Sequence, residues 1–324
     1  MKKYVIAEIG SNFDQKKSKI FKMINEAKKC GADAVKFQLF KASLLYPNDK
    51  KMYKLFKSIE LNASWVKEIS EYCKKIKIDF LTSVFDLNSA KVADRFVKYH
   101  KVASSEATNI SLLKYLLKTK KKILFSTGMC DEKDIKIFLS LAKKYKNNDI
   151  VLMQCGSMYP LPEKYVNLNV LNTYKKFNFE IGFSDHTLGY DAAMCASSLG
   201  AIYFEKHFTL NKKSKGPDHF FALEPNQLKK YINKISKAKI LLGTNIKEML
   251  PDEKKYARRE GLYFKKELKK NTKIKKIHLL KQRPALGIRA RDINDVIGKK
   301  LNKDVKSLSP VYYSNLIWNY ENWH

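Results

Sequence analysis

Two histidines, His186 and His207, each end a short apolar run that is typical of a buried β-strand. Neighbouring strands of a sheet lie about 4.8 Å apart, so both imidazoles can reach one ion. Three carboxylates, Glu8, Glu106 and Glu205, lie on or beside predicted strands, where a buried carboxylate is costly unless it is paired, hydrogen-bonded or metal-bound. We therefore expect the carboxylates to be catalytic and the histidines to hold a divalent ion such as Mn²⁺ or Mg²⁺ rather than a closed structural zinc site.

Further polar groups follow the other predicted strand ends. Hydroxyl and ammonium groups donate hydrogen bonds to phosphate and carboxylate, so Ser and Lys side chains gathered at one place form a cradle for an anion. Each Ser taken alone is equally compatible with a turn or a helix cap, and only the shared location indicates a site. The expected substrate-binding residues at strand ends are Lys36, Gln38, Ser83, Lys101, Ser104, Ser126, Ser157, Tyr159 and Ser184.

The elements that must position these groups alternate along residues 4–242, with short β-rich runs followed by amphipathic helical stretches. The predicted strands are Tyr4–Glu8, Ala34–Gln38, Asp79–Ser83, Lys101–Ser104, Lys122–Ser126, Ile150–Gln154, Glu180–Phe183 and Ile202–His207. The predicted helices include Lys16–Cys30, Ser64–Lys75, Ile110–Thr119, Asp131–Lys144, Asp191–Leu199 and Pro225–Leu242. Eight such units predict an α/β fold in which parallel strands close into a (β/α)8 TIM barrel, with an open doubly wound sheet as the alternative. The active site of such a barrel lies at the C-terminal strand ends, where the polar groups are found.

The alternation stops after Gly243, and the rest of the chain has a different character. We predict a catalytic barrel domain at residues 1–243, a linker at 244–256 that contains Pro251-Asp252-Glu253, and a small β-rich domain at 257–324.

Composition limits the possible partners and compartments. The formal net charge is +32, but only six of the 64 Lys and Arg residues are Arg, and the lysines are spread over every predicted helix. This distribution favours a solvated surface that attracts anionic substrates over a nucleic-acid interface. The apolar runs are far shorter than the roughly 20 residues of a membrane span, and no export signal is recognisable. Five cysteines without close pairs indicate a reducing, cytoplasmic location rather than a disulfide framework.

Six motifs, taken together and in this order, resemble bacterial sialic acid synthases and their legionaminic and pseudaminic acid relatives. They are Ala7-Glu8-Ile9-Gly10-Ser11-Asn12, Val35-Lys36-Phe37-Gln38, Ser126-Thr127-Gly128-Met129, Gly182-Phe183-Ser184-Asp185-His186-Thr187-Leu188-Gly189, Glu205-Lys206-His207-Phe208-Thr209-Leu210 and Gly216-Pro217-Asp218-His219. The tail, with Lys281-Gln282-Arg283-Pro284 and Gly287-Ile288, is similar to the antifreeze-like SAF domain, a β-clip module, of that family.

The resemblance implies a condensation of phosphoenolpyruvate with an N-acetylmannosamine-like or 2,4-diacetamido sugar aldehyde, giving a nonulosonic acid and phosphate for surface glycans. It implies that His186 and His207 are the metal pair, that Glu106 is the acid/base, and that no organic cofactor is needed. It also implies a homodimer in which the C-terminal domain closes the neighbouring barrel. The residues that match phosphoenolpyruvate ligands are Lys36, Ser83, Lys101, Ser104, Ser126 and Ser184, and those that match sugar contacts are Glu8, Gln38, Tyr159, Asp218 and Arg283.

One departure from the family pattern and two other functions stay open at this point. Phe13 stands where most relatives have His, so the acceptor sugar is expected to differ from that of a typical sialic acid synthase. A Schiff-base aldolase that uses Lys36, Lys101 or Lys206 is a second possible enzyme. A barrel that binds sugar or nucleic acid without chemistry is the third reading, against which the joint presence of the carboxylates and histidines argues.

Overall fold

A computed structural model describes residues 2–256 and 258–318 of the chain. The chain divides into two compact units, Met1–Gly243 and Thr244–His324. Each unit has a hydrophobic core of its own.

Eight parallel strands of the first unit close into a barrel, and each strand pairs with its neighbours in the sequence. The predicted (β/α)8 fold is confirmed, and the open doubly wound sheet is excluded. The strands are β1 (Tyr4–Gly10), β2 (Ala34–Leu39), β3 (Asp79–Val84), β4 (His100–Val102), β5 (Ile123–Ser126), β6 (Ile150–Cys155), β7 (Glu180–Asp185) and β8 (Tyr203–His207).

Helices surround the barrel and bury their apolar faces against the outward side chains of the strands. Local signals set several helix ends. The Asp131 side chain accepts from the N–H of Asp134 at 2.9 Å, and Gly31 ends a helix with a left-handed φ of 93°. The helices of this unit are α1 (Lys17–Cys30), α2 (Ala42–Leu45), α3 (Lys50–Ile59), α4 (Val66–Lys75), α5 (Leu87–Asp94), α6 (Ile110–Lys118), α7 (Glu132–Lys144), α8 (Val170–Lys175), α9 (Asp191–Ser198) and α10 (Pro225–Leu242).

The inside of the barrel changes from apolar to polar along the strands. Side chains at alternate strand positions face the interior, and those near the strand starts form a small apolar cluster of Ile6, Ala34, Leu81, Leu124, Val151, Met153 and Tyr203. Two residues later on the same strands the interior positions are occupied by Glu8, Lys36, Ser83, Ser126, Cys155 and Glu205. The apolar cluster fills the lower barrel, and the polar groups gather at the C-terminal strand ends, which we call the mouth.

The second unit is small and contains a two-stranded antiparallel sheet of β9 (Gly261–Phe264) and β10 (Leu279–Gln282). Leu262, Phe264, Leu301 and Val311 are among the residues of its core. Its helices are α11 (Pro251–Tyr256) and α12 (Ile293–Val296).

Helix α11 lies inside the segment that we expected to be an irregular linker. Pro251 at the first helical position and two acidic residues in the first turn, Asp252 and Glu253, are helix-starting signals. Glu253 also accepts from the N–H of Leu250 at 2.8 Å. The same residues that indicate a turn therefore begin a helix here.

No helix in the described part of the chain is long and apolar enough to cross a membrane.

Candidate active site

A small cavity of about 50 Å³ lies at the barrel mouth. All strands from β1 to β8 contribute to its lining, because each presents one or two interior positions at that level. The cavity brings together twelve of the residues that the sequence predicted as site residues: Glu8, Lys36, Gln38, Ser83, Lys101, Ser104, Ser126, Tyr159, Ser184, His186, Glu205 and His207.

Lys36 lies between two carboxylates on one side of the cavity. Its Nζ is 3.0 Å from Glu8 Oε2 and 3.6 Å from Glu205 Oε1, and it donates to Ser83 Oγ at 2.7 Å. Burial opposes its charge, but Glu205 and Glu8 outweigh that effect and raise the pKa of Lys36. Lys36 is therefore a fixed positive charge in the floor of the cavity.

Lys101 is the second buried ammonium group of the cavity. It donates to Ser126 Oγ at 2.7 Å and lies 3.7 Å from Glu205 Oε1. Burial is the largest influence here and lowers the pKa of Lys101, although Glu205 acts in the opposite direction. Ser184 Oγ also donates to Glu205 Oε1, at 3.1 Å, so one carboxylate oxygen connects both lysines and a serine.

The carboxylates Glu8 and Glu205 differ in their proton affinity. Burial, reinforced by the charge of Glu205, raises the pKa of Glu8 to about 7 even though Lys36 lowers it. Burial also acts on Glu205, but Lys101 and Lys36 dominate and lower its pKa. The cavity thus holds one carboxylate that stays ionised and one that can carry a proton near neutral pH.

His186 and His207 lie side by side at the ends of β7 and β8, with ring centroids 5.5 Å apart. The Nδ1 of His186 lies 2.6 Å from the carbonyl oxygen of Gly156, which can only accept, so Nδ1 carries the hydrogen and Nε2 is left available. His207 Nδ1 is buried and has no hydrogen-bond partner among the described residues. Burial and the neighbouring His186 hold the pKa of His207 well below its usual range, so its ring is neutral.

These two imidazoles fit a labile divalent ion rather than a structural metal site. Ring nitrogens without protein partners are suitable ligands when the imidazole is neutral. Burial favours the neutral form of His186, but Cys155 outweighs burial and raises its pKa, so an ion would compete with a proton for this ring. Among the described residues, no group of three or more His, Cys, Asp and Glu side chains is arranged to hold a metal ion. An ion on His186 and His207 would therefore keep coordination positions open for substrate and water.

Four predicted site residues do not line the cavity. Glu106 is buried in the turn after β4 and accepts from Asn109 Nδ2 at 2.8 Å, and its pKa is raised by burial. Ser157 follows β6 and lies against Gly128, where an added Cβ would collide with its hydroxyl. Asp218 Oδ2 lies 3.9 Å from His207 Nδ1, just beyond the lining, and Arg283 belongs to the second unit.

Comparison with known proteins identifies the chain. The model of the NeuB family matches residues 23–247, and that of the SAF domain matches residues 259–317. The chain belongs to the NeuB family. The resemblance drawn from the six motifs and from the tail is confirmed.

Several relatives of this NeuB chain are synthases of legionaminic or pseudaminic acid. It is 35% identical over 325 residues to the N,N'-diacetyllegionaminic acid synthase of Campylobacter jejuni, covering 94% of this chain and 97% of that protein. It is 31% identical to a pseudaminic acid synthase of the same species, covering 94% of each. The crystal structure of the N-acetylneuraminic acid synthetase from Leptospira borgpetersenii superposes with a TM-score of 0.74 at 28% identity, over 79% of this chain and 90% of that chain.

Phe13, noted in the sequence analysis as a departure from the family resemblance, does not line the cavity. It is fully buried in the core between barrel and helices, and its ring lies 6.3 Å from that of Phe37. Its neighbour Asn12 donates to the carbonyl oxygen of Phe208 at 3.0 Å. Any influence of Phe13 on the acceptor sugar is therefore indirect, through the backbone at the end of β1.

The structure changes the interpretation of two further residues, Cys155 and Lys206. Cys155 lines the cavity, with its Sγ 3.6 Å from Ser104 Oγ and 3.8 Å from His186 Nδ1, although sequence reasoning passed over it. It occupies the next interior position after Met153, and strict alternation along β6 would have found it. Lys206, considered above for a Schiff base, lies on the outward face of β8 and is absent from the lining.

Proposed function

We propose that this NeuB chain joins phosphoenolpyruvate to an amino-sugar aldehyde, such as N-acetylmannosamine or a 2,4-diacetamido sugar, and releases a nonulosonic acid and phosphate for surface glycan synthesis. The observation that carries the proposal is the buried arrangement of two ammonium groups and three serine hydroxyls directly beside two imidazoles. Its relatives among the legionaminic and pseudaminic acid synthases support the class of product.

Phosphoenolpyruvate carries a phosphate and a carboxylate, and the cavity offers matching donors. Lys36 and Lys101 supply positive charge, and the hydroxyls of Ser83, Ser126 and Ser184 are oriented by those lysines and by Glu205. Charge-assisted hydrogen bonds are strongest where water is excluded, as it is around these nearly fully buried groups. Ser104, which also lines the cavity, is the remaining proposed ligand of this substrate.

The residues fit a divalent ion, Mn²⁺ or Mg²⁺, held by His186 and His207. Such an ion, when bound, supplies a Lewis acid that polarises the aldehyde oxygen of the acceptor. Glu8, Gln38, Tyr159 and Asp218 surround the same end of the cavity or its rim and are proposed to orient the sugar. Ser157 is proposed to contact the substrate from the loop after β6.

The bond changes balance without an organic cofactor. C3 of phosphoenolpyruvate forms the new bond to the aldehyde carbon, and the aldehyde oxygen takes up a proton, for which Glu8 has a suitable pKa. Water adds at C2, its proton passes to a base that we propose is Glu106, and phosphate leaves with cleavage of its C–O bond. The fixed lysines and serines hold the phosphate through these steps.

A panel of 2-acetamido and 2,4-diacetamido sugars tests the proposal. The full chain, stripped of metal, is incubated with phosphoenolpyruvate and each sugar, with and without Mn²⁺, and released phosphate and product mass are measured. We expect phosphate release with one sugar class, dependent on Mn²⁺, and a product mass equal to sugar plus pyruvate. Folded protein that consumes no phosphoenolpyruvate with any sugar would reject the proposal in favour of a binding protein.

A Schiff-base aldolase remains as a second candidate because the pKa of Lys101 is lowered by burial. Lys36 is unsuitable as a nucleophile since its carboxylate neighbours keep it protonated. An imine enzyme would be inactivated by borohydride in the presence of a keto acid and would be indifferent to chelator. The proposed synthase shows the opposite behaviour.

We further propose that the enzyme works in the cytoplasm as a homodimer in which Arg283 of one subunit reaches the sugar bound to the other. The cysteines of the described chain are all free, which supports a reducing compartment. Arg283 matches a sugar-contacting position of the family motif.

A further inference from the structure

A buried ion pair lies directly behind the two proposed metal ligands. Asp185 and Lys206 are register partners on β7 and β8, and their side chains point outward, away from the cavity. Lys206 Nζ lies 3.0 Å from Asp185 Oδ2. Asp185 immediately precedes His186, and Lys206 immediately precedes His207, so the pair ties together the two backbone positions that carry the imidazoles.

The pair also holds the residue on the other side of His186. Asp185 Oδ1 accepts from the backbone N–H of Thr187 at 2.8 Å and from its hydroxyl at 2.7 Å. Lys206 donates to the carbonyl oxygen of Thr187. His186 therefore lies in a turn whose preceding and following residues are both bound to one network, which leaves its backbone little freedom to rotate.

The burial of this network argues against a purely stabilising role. Both side chains are nearly fully buried under α10, where Lys206 Nζ lies 5.5 Å from the centre of the Tyr231 ring. Taking two charges out of water costs about as much as their attraction returns, and apolar residues of similar volume often stabilise a core equally well or better. A buried pair at this location is better explained by the unique geometry that it imposes.

We infer that Asp185 and Lys206 are positioning residues that set the distance and orientation of His186 and His207 for a shared divalent ion. The inference rests on the proposed function, since it concerns the proposed metal pair. Neither side chain touches the cavity, so they act through the backbone of the histidines. Removing a residue that orients a metal ligand without touching the metal typically lowers metal affinity by about 10-fold to 100-fold.

The double variant Asp185→Asn/Lys206→Met tests this inference. It removes both charges, keeps side-chain volume, and retains the Oδ1 acceptor for Thr187. The matched control is Lys122→Met/Glu180→Gln, which removes the ion pair at the opposite end of β7. For each full-length protein, Mn²⁺ affinity is measured without substrate by electron paramagnetic resonance, and folding is followed by circular dichroism and thermal melting.

We expect Mn²⁺ affinity to fall about 10-fold or more in Asp185→Asn/Lys206→Met and to change less than about 2-fold in the control, whatever their melting temperatures. A folded double variant with wild-type Mn²⁺ affinity would overturn the inference while leaving the proposed function intact. Wild-type protein that binds no Mn²⁺ would instead reject the metal pair itself, and with it the inference. Should the double variant not fold, Asp185→Asn/Lys206→Gln gives the same comparison, because it also removes both charges but keeps a hydrogen-bond donor for the carbonyl oxygen of Thr187.

Discussion

Glu205 is the residue on which the charges of the candidate site converge. Its Oε1 lies 3.6 Å from Lys36 Nζ and 3.7 Å from Lys101 Nζ and accepts a hydrogen bond from Ser184. Without substrate this carboxylate is the counter-charge that allows two ammonium groups to be buried close together. A dianionic substrate would share that role, so the cavity is electrostatically prepared for an anion.

The substitution Glu205→Gln should therefore destabilise the substrate-free protein and increase the extent to which substrate stabilises the fold. Removing one partner of a buried charge cluster costs roughly 3 kcal/mol, because Lys101 loses its carboxylate. We expect a lower melting temperature than in the wild type and a larger upward shift on adding phosphoenolpyruvate, measured by differential scanning fluorimetry. Equal melting temperatures and equal shifts in both proteins would contradict this account of the cavity.

Glu106 poses a different question, because it is the proposed base and yet lies outside the cavity lining. Glu106→Gln keeps the volume and can keep the contact with Asn109. If Glu106 deprotonates the attacking water, kcat falls by about 10² or more with a nearly unchanged KM for phosphoenolpyruvate. Glu132→Gln on the exposed start of α7 is the control and should retain wild-type kinetics. A variant altered only in KM would assign Glu106 to binding.

At the level of single residues, the sequence predicted most of the side chains that line the cavity. It failed where the alternation of inward and outward positions along a strand was not applied. Glu205 and His207 face the cavity, so Lys206 between them must face outward, which excludes it from Schiff-base chemistry there. Cys155 was overlooked for the same reason. Contacts such as that between Asp185 and Lys206 depend on register across two strands, which no single strand reveals.

At the level of elements, strands were predicted to within about two residues, whereas several helices were missed. The buried strands have strong apolar runs bounded by polar residues. Helix α8 has only six residues, which is too short to show an apolar stripe. Helix α3 does carry one, with Met52, Leu55, Phe56 and Ile59 at helical spacing, so periodicity applied to this segment would have found it. Helix α11 was missed because its Pro and acidic residues were interpreted as turn signals.

The junction between α5 and β4 predicts a pH dependence of stability. His100, at the start of β4, is buried, contacts Thr119 Oγ1 at 3.0 Å and lies 3.2 Å from Asp94 Oδ1. Burial lowers its pKa to about 4, against a usual value near 6.5. Between pH 4 and 6.5 the unfolded chain therefore binds more protons than the folded protein. The contribution of neutral His100 to the free energy of unfolding is complete above pH 6.5 and is lost as the pH falls toward 4.

We expect His100→Gln to remove part of this dependence. Between pH 6.5 and 5 the wild-type free energy of unfolding should fall by about 1.5 kcal/mol more than that of the variant, as measured by urea denaturation at each pH. Glutamine can still hydrogen-bond to Thr119 and does not titrate. Parallel pH profiles of the two proteins would show that His100 keeps an ordinary pKa in the folded state.

At the level of the whole molecule, the candidate site residues come from the barrel unit except for Arg283. This residue is one of only six arginines in a chain whose other basic residues are all lysines. A guanidinium holds its N–H donors in a rigid planar fork, so it can donate to a sugar oxygen or an amide carbonyl with less loss of freedom than a flexible lysine ammonium. Arg283, which the resemblance drawn from the tail motif places at a sugar contact, has the donor geometry for that proposed role.

Subunit mixing tests whether that contact is made across a dimer. Chains carrying His186→Ala and chains carrying Arg283→Ala should each be nearly inactive, because each lacks one part of every site. If Arg283 acts on the neighbouring subunit, a heterodimer contains one site with both defects and one intact site. Random mixing of equal amounts makes half of the dimers heterodimers, so activity should recover to about a quarter of the wild-type value. If Arg283 acts within its own subunit, every site keeps one defect, and no activity returns even when mass spectrometry shows that the subunits have exchanged.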